Sequence, residues 1–301
     1  MKLSHEKVEN ILSTKNTDKP YIMIPNAIVR NNSILNMSKM IYISLTMSRN
    51  INQIQLFQQT SINGLLGMVG YNQRTENQNM IRQGLIELEE LNVISIYSDL
   101  ALTKEIRPID LKGITMFFVK FNNDFVMSKE FVNKFDDNEI DKELIEYGLI
   151  YTTVYIDDAV KLFTIQTKHN RANMISLYLM AVSRALIGSM GDFYSTESIE
   201  RITKYANINE KTASTYITAL FEDKLLFKLT LRETLRKTGE IRDHNVYSRW
   251  CDSDAIIGAI ESNEWFMDKK LLKVGGKELS EAERNYIKNK SRKLRGLSEV
   301  Y

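Results

Sequence analysis

Apolar residues recur every three to four positions along several stretches of the chain. Ile62, Leu65, Leu66 and Val69 form one stripe, and Ile81, Leu85, Leu88 and Leu91 form another. That spacing is one face of an α-helix. Thr60 or Ser61 is placed to cap a helix over about 61–69, and Gly70-Tyr71-Asn72 breaks it before the second helix begins. The apolar run Met37 to Met47 predicts an earlier helix, with Asn36 or Ser38 as its cap. Val93 to Tyr97 reads as a strand, 98–113 as a long loop around Arg107-Pro108, and Ile114 to Phe121 as the returning strand. Upstream, residues 1–20 read as a short helix and linker. Tyr21 to Pro25 reads as an edge strand, because Pro25 cannot donate to a ladder.

The same order recurs downstream. Asn173 to Ile187 predicts a helix with Met174, Leu177, Tyr178, Ala181 and Ala185 on one face, followed by a loop at Gly188 to Asp192. Thr196 to Ala206 is a second helix, Asn207-Ile208-Asn209 a turn, and Glu210 to Lys224 a third helix. Leu225 to Leu231 and Ile241 to Tyr247 are strands around a hairpin tip at Arg236 to Glu240. A shift of 132 aligns Asn77–Ile94 with Asn209–Leu226, matching Leu85 with Ile217 and Leu88 with Leu220. The first copy carries about four extra residues around Gln73 to Glu76. Repetition of a unit is stronger evidence of a fold than either copy alone.

Helix, helix, turn, helix, strand, loop, strand is the order of a winged helix-turn-helix, whose third helix enters the DNA major groove. The expected fold is therefore mainly α with small β wings (α+β), as two winged helix-turn-helix domains in tandem. The boundaries are 1–20 for the N-terminal helix and linker, 21–122 for the first domain, 123–170 for a connector, 171–250 for the second domain, and 251–301 for a C-terminal helix and basic tail.

Base edges are read by amide and guanidinium side chains near the start of the third helix. In the first copy these are Gln73, Arg74, Asn77, Gln78, Asn79 and Arg82. In the second, Asn209, Lys211, Thr212 and Thr215 are placed for phosphate and sugar contacts. Arg232, Arg236, Lys237 and Arg242 give the second wing the cations to track phosphates or enter the minor groove.

Charge sharpens this picture. The 301 residues, enough for two domains, carry a net charge of only +2, yet residues 124–158 hold ten acids and three bases, and 269–301 hold ten bases and four acids. Such segregation can mark a nucleic-acid face. Cys251 is the only cysteine, which rules out an intramolecular disulfide and a Cys-based zinc finger and suits a reducing cytoplasm. No apolar run is long enough to span a membrane, and no signal peptide is visible.

Enzyme signatures are weak. Gly276-Lys277 is followed by Glu278, so the phosphate-loop pattern fails. His5, His169 and His244 have no metal-ligand spacing. Asp252-Ser253-Asp254 has the spacing of a metal-binding acid pair but precedes an apolar-periodic helix, which predicts N-capping. Asp136-Asp137 and Asp157-Asp158 read as solvated acids. No catalytic residue, metal or cofactor is expected.

Across roughly residues 20–250 the chain resembles the tandem winged-helix replication initiators of plasmids and phages in Gram-positive bacteria. The residues that carry this are Thr60 to Leu66, Ile81, Leu85 to Leu91, and Asn209 to Leu226. The resemblance implies binding to repeated sites at an origin, host replication proteins as partners, and a homodimeric form that represses its own promoter. A transcription regulator of a phage or mobile element shares the same architecture, and winged helices also serve as protein-interaction modules.

Overall fold

The computed structural model describes residues 19–48, 57–146, 150–185, 193–235 and 237–300. The helix expected before Lys19, the loop at 188–192 and Arg236 lie outside the described residues. Helices and small antiparallel sheets mix in an α+β fold. The chain divides into two compact units. One holds Pro20–Met180 and Lys204–Ile208; the other includes Ala181–Thr203 and Asn209–Tyr301.

The first unit begins with strand β1 (Tyr21–Pro25) and the short helix α1 (Asn26–Val29), followed by α2 (Asn36–Met47), β2 (Phe57–Thr60), α3 (Ile62–Met68), α4 (Thr75–Glu90), β3 (Ile94–Tyr97) and β4 (Phe117–Phe121). Then come α5 (Asn123–Val126), α6 (Lys129–Val132), α7 (Lys142–Glu146), β5 (Tyr151–Tyr155), α8 (Ile156–Thr164) and α9 (Arg171–Val182). β1 pairs antiparallel with β5, Tyr21 opposite Tyr155. A three-stranded sheet runs β2-β4-β3. The strand β2 was not expected, because Phe57-Gln58-Gln59-Thr60 shows no apolar alternation. The core beneath this sheet is built from Leu65, Leu66, Ile81, Leu85, Leu88, Ile96, Phe117 and Val119, all buried. Leu91, expected in the stripe, is only half-buried.

Several local expectations are corrected. Leu35, not Asn36 or Ser38, occupies the N-cap of α2 and makes no side-chain cap bond. Its N–H donates instead to the Glu87 carboxylate at 3.1–3.2 Å. Asn36 Nδ2 donates to Asn173 Oδ1 and to the Ala206 carbonyl, each at 2.8 Å. The segment 123–170 packs within the first unit. Phe131 and Ile140 are buried there, and Asp141 is buried against Arg30, with Nε to Oδ2 at 2.6 Å. Asp158 is likewise not solvated: it is buried and accepts a 2.8 Å bond from the Tyr178 hydroxyl. The helix α9 is not one-sided, because Met174 to Val182 are all buried, as expected of a helix apolar all round. All of α9 except Ala181 and Val182 belongs to the first unit.

Lys39 of α2 is also buried. Its Nζ donates to the carbonyls of Val29 and Tyr205, each at 3.1 Å. Burial holds its pKa down at about 7, against the opposing pull of Glu87.

The second unit contains helices α10 (Ile199–Ala206, in part) and α11 (Glu210–Glu222), then β6 (Leu226–Thr234) and β7 (Ile241–Arg249). α12 (Ser253–Ala259), α13 (Glu264–Met267), β8 (Lys270–Val274), β9 (Lys277–Glu278) and α14 (Glu281–Leu294) complete it. The residues expected as a basic tail are folded. β8 and β9 extend the sheet to the order β7-β6-β8-β9, and α14 opens on a full capping box between Ser280 and Glu283. Ile287 and Leu294 pack on a core of Leu229, Leu231, Val246, Ile256 and Phe266. Asp252 stands at the N-cap of α12 but makes no cap bond. It is buried and lies 3.6 Å from Arg249, while Asp254 pairs with Lys290 at 3.2 Å.

The backbone repeats closely. Ser61 caps α3 by accepting from the Gly64 N–H, and Ser198 accepts from the Arg201 N–H before α10. Each of these helices is followed by a residue at positive φ, Gly70 at 70° and Asn207 at 52°. These pairs lie 137 residues apart. After the turn the offset becomes 132, so the first copy carries five extra residues there. Asn92 and Lys224, at φ 58° and 55°, end α4 and α11. The bonds Val93 N–H to Leu88 C=O and Leu225 N–H to Leu220 C=O close both helices in the same way. Gln58 pairs with Val119 on the last strand of the first sheet, as Ser195 pairs with Tyr247 in the second.

Candidate nucleic-acid interface

The start of α4 is polar throughout, from Asn72 to Asn79. Asn72, Gln73, Arg74, Thr75 and Glu76 are exposed. The Arg74 backbone caps the helix without a side-chain bond. Behind these residues lies a chain of amides. Gln78 Nε2 donates to Asn63 Oδ1 at 2.9 Å, and Asn63 Nδ2 donates to Gln73 Oε1 at 3.3 Å. Asn77 turns back to Asn72, donating to its Oδ1 at 2.7 Å. Arg82 donates through Nε to the Leu111 carbonyl at 3.0 Å and through a terminal nitrogen to Asn79 Oδ1 at 2.8 Å.

The expected reading residues thus divide. Gln73, Arg74 and Asn79 face solvent, whereas Asn77, Gln78 and Arg82 are half-buried and hold the local frame. The frame extends to the turn before α4. Arg171 donates to the carbonyls of Val69 and Gly70 at 2.6 and 3.0 Å and lies over the Tyr71 ring. Burial raises the Tyr71 pKa, with Arg171 opposing. At the other end of α4, burial and the neighbouring carboxylates Glu105 and Glu90 push the Glu89 pKa up. The helix start carries both Arg74 and, in its first turn, Glu76, and its end carries Glu87, Glu89 and Glu90. The positive end of the helix dipole lies at that start, which suits an N-terminal approach to a polyanion.

Asn63 escaped the sequence reading, as did the loop segment 111–114. The Asn63 N–H donates to the Gly113 carbonyl at 2.9 Å. A Cβ on Gly113 would come within 2.7 Å of Gln78 Nε2 and 2.8 Å of Asn63 Oδ1, so glycine permits this approach. No local pattern signals it, because the contact joins residues far apart in sequence.

The second copy is occupied differently. Asn209 caps α11 by accepting from the Thr212 N–H at 2.9 Å. The Thr215 hydroxyl donates back to the Lys211 carbonyl at 3.1 Å. Lys211 and Thr215 are exposed, and Thr212 is half-buried. Two of the four cations expected along the wing, Arg232 and Arg242, are paired with carboxylates. Arg232 makes a two-bond pair with Asp243 at 2.7 and 2.9 Å, and Arg242 a two-bond pair with Glu240 at 2.9 and 3.0 Å. Each hydrogen-bonded pair raises the arginine pKa and lowers that of its carboxylate. Glu233 joins His244 at 2.8 Å and Lys269 at 3.7 Å. Lys237 is exposed at the hairpin tip.

Among the described residues no group of three or more His, Cys, Asp or Glu could hold a metal ion. No described helix is long and apolar enough to cross a membrane. The chain matches no protein-family model and no curated protein sequence.

Proposed function

We propose that this chain is a sequence-specific double-stranded DNA-binding protein built on two tandem winged helices, acting as a replication initiator at repeated origin sites of a plasmid or phage. The observation that carries the reading is the exposed start of α4. There Gln73, Arg74 and Asn79 stand free of the core on a scaffold of interlocked amides. Amides suit adenine and guanidinium suits guanine. Supporting it, a helix pair and an antiparallel sheet recur with matching caps and positive-φ turns, the frame a winged helix needs to hold its third helix in the groove.

The two copies take different roles. The first reads bases through α4. The second, with Arg232 and Arg242 of its wing already paired to carboxylates, contributes phosphate contacts through Lys211 and Lys237 or docks host replication proteins or a second copy of the chain. A transcription regulator is the second reading, and the exposed start of α4 serves it equally.

A binding titration at two salt concentrations tests this, with DNA flanking the protein's own gene and random duplex as control. Tight, salt-dependent preference for one fragment is the expected result. Footprints over direct repeats support initiation, and a palindromic footprint moves the reading to a regulator. Equal affinity for both DNAs overturns sequence-specific binding.

A further inference from the structure

On the reading that α4 enters the major groove, we infer that Ile114 is a specificity residue that contacts the 5-methyl group of thymine, so that the first copy reads A·T pairs with an apolar side chain beside an amide cluster.

The loop between β3 and β4 is not a free flap. It is held to α4 by Arg82 at the Leu111 carbonyl and to α3 by the Asn63 N–H at the Gly113 carbonyl. A Cβ on Gly113 would come within 2.7 Å of the Gln78 amide and 2.8 Å of the Asn63 amide, so Gly113 lies directly against both. The next residue in the chain follows this tethered Gly113. That residue, Ile114, is 80% exposed, the most exposed large hydrophobic among the described residues. Exposed lysine precedes it at Lys112.

The chemistry of the A·T pair matches this arrangement. In the major groove adenine offers an acceptor and a donor to an amide, and its partner thymine presents a methyl group. An amide with an adjoining apolar side chain covers both halves of that pair. The second copy differs: the connection between β6 and β7 is short, Lys237 to Glu240 at its tip are exposed, and its exposed apolar residue, Ile241, is the first residue of β7. The five-residue insertion before α4 and the long loop occur together in the first copy only.

The test uses the full chain and 20-base-pair duplexes that it selects from a random pool. Each duplex is compared with a copy in which deoxyuridine replaces thymine, removing only the methyl groups. The expected result is about fourfold weaker binding per thymine contacted, the equivalent of one buried methyl. Ile114→Ala should bind both duplexes alike, while Ile114→Val keeps the discrimination. Thermal melting by circular dichroism confirms that both variants fold. Selection of a specific duplex with no loss on uridine substitution overturns the inference and leaves the DNA-binding reading standing. The same holds if Ile114→Ala stays as sensitive as the wild type. No selected sequence at all overturns the DNA-binding reading itself.

Discussion

At the start of α4, five extra residues and a tethered loop leave Gln73, Arg74 and Asn79 facing solvent. At the matching start of α11 the turn is tight, and Asn209 caps the helix. The first sheet ends in a long loop folded onto the helices. The second ends in a short hairpin in which Arg232 and Arg242 lie in two-bond pairs with Asp243 and Glu240. Copies that share a serine cap before the second helix, positive-φ residues after the second and third helices and a strand pairing therefore differ in which polar groups remain available. A polar residue at a helix start or hairpin tip serves recognition only if local bonds leave its donors open. Composition cannot distinguish the two cases, because Arg74 at a helix start and Arg232 in a wing strand are the same residue type.

The sharpest way to break the comparison is to remove one partner from an ion pair in each unit. Asp141→Ala leaves Arg30 buried without its carboxylate and should destabilise the first unit by about 3–5 kcal/mol in urea unfolding. Asp243→Ala removes the partner of Arg232, a pair in which each side chain is 40% exposed. It should change stability by less than about 1 kcal/mol. Equal effects would contradict the contrast between a charge-braced first unit and a solvated second wing.

Lys39 sharpens the same contrast through pH. Its folded pKa, about 7, lies below the ordinary value of 10.5, so between these values the unfolded chain binds the extra proton. Stability should therefore rise with pH across this window, by on the order of 1.4 kcal/mol per unit. Below about pH 7 the protonated lysine stays buried and this contribution is absent. Lys39→Met should flatten the rise, and an unchanged slope in the variant's pH-dependent unfolding would contradict the assignment.

On DNA, Arg74→Ala should weaken specific binding by about 1–3 kcal/mol and relax specificity at one base pair. The double change Arg232→Ala and Arg242→Ala should have the smallest effect. Each arginine already has a carboxylate partner, so the salt slope should fall by less than the two units that two free phosphate contacts would give.

Much of the fold was legible. The stripes at Ile62–Val69 and Ile81–Leu88, the 132-residue shift, and the strands at Tyr21, Ile94, Leu226 and Ile241 follow from periodicity and caps. What escaped had other physical origins. β2 pairs with β4 without an apolar alternation of its own. α9 is buried on all sides, so a one-sided pattern misassigned it. In 269–301, attention to charge hid two available signals: Gly275-Gly276, both at positive φ between β8 and β9, and the Ser280–Glu283 capping box. The candidate interface was legible as composition but not as availability. Asn63, Gly113 and Ile114 join it only through long-range contacts, and the partners of Arg232 and Arg242 are set by cross-strand register and hairpin geometry.

The most direct test of the account is a three-way titration on one selected duplex at two salt concentrations. It compares the wild-type chain, Arg74→Ala, and the Arg232→Ala, Arg242→Ala double variant, with random duplex as control. The account predicts that Arg74→Ala loses about 5- to 150-fold on the selected duplex and much less on random DNA, while the double variant stays close to wild type on both. Loss of specific binding in the double variant, with Arg74→Ala unchanged, would contradict it and place recognition in the second copy.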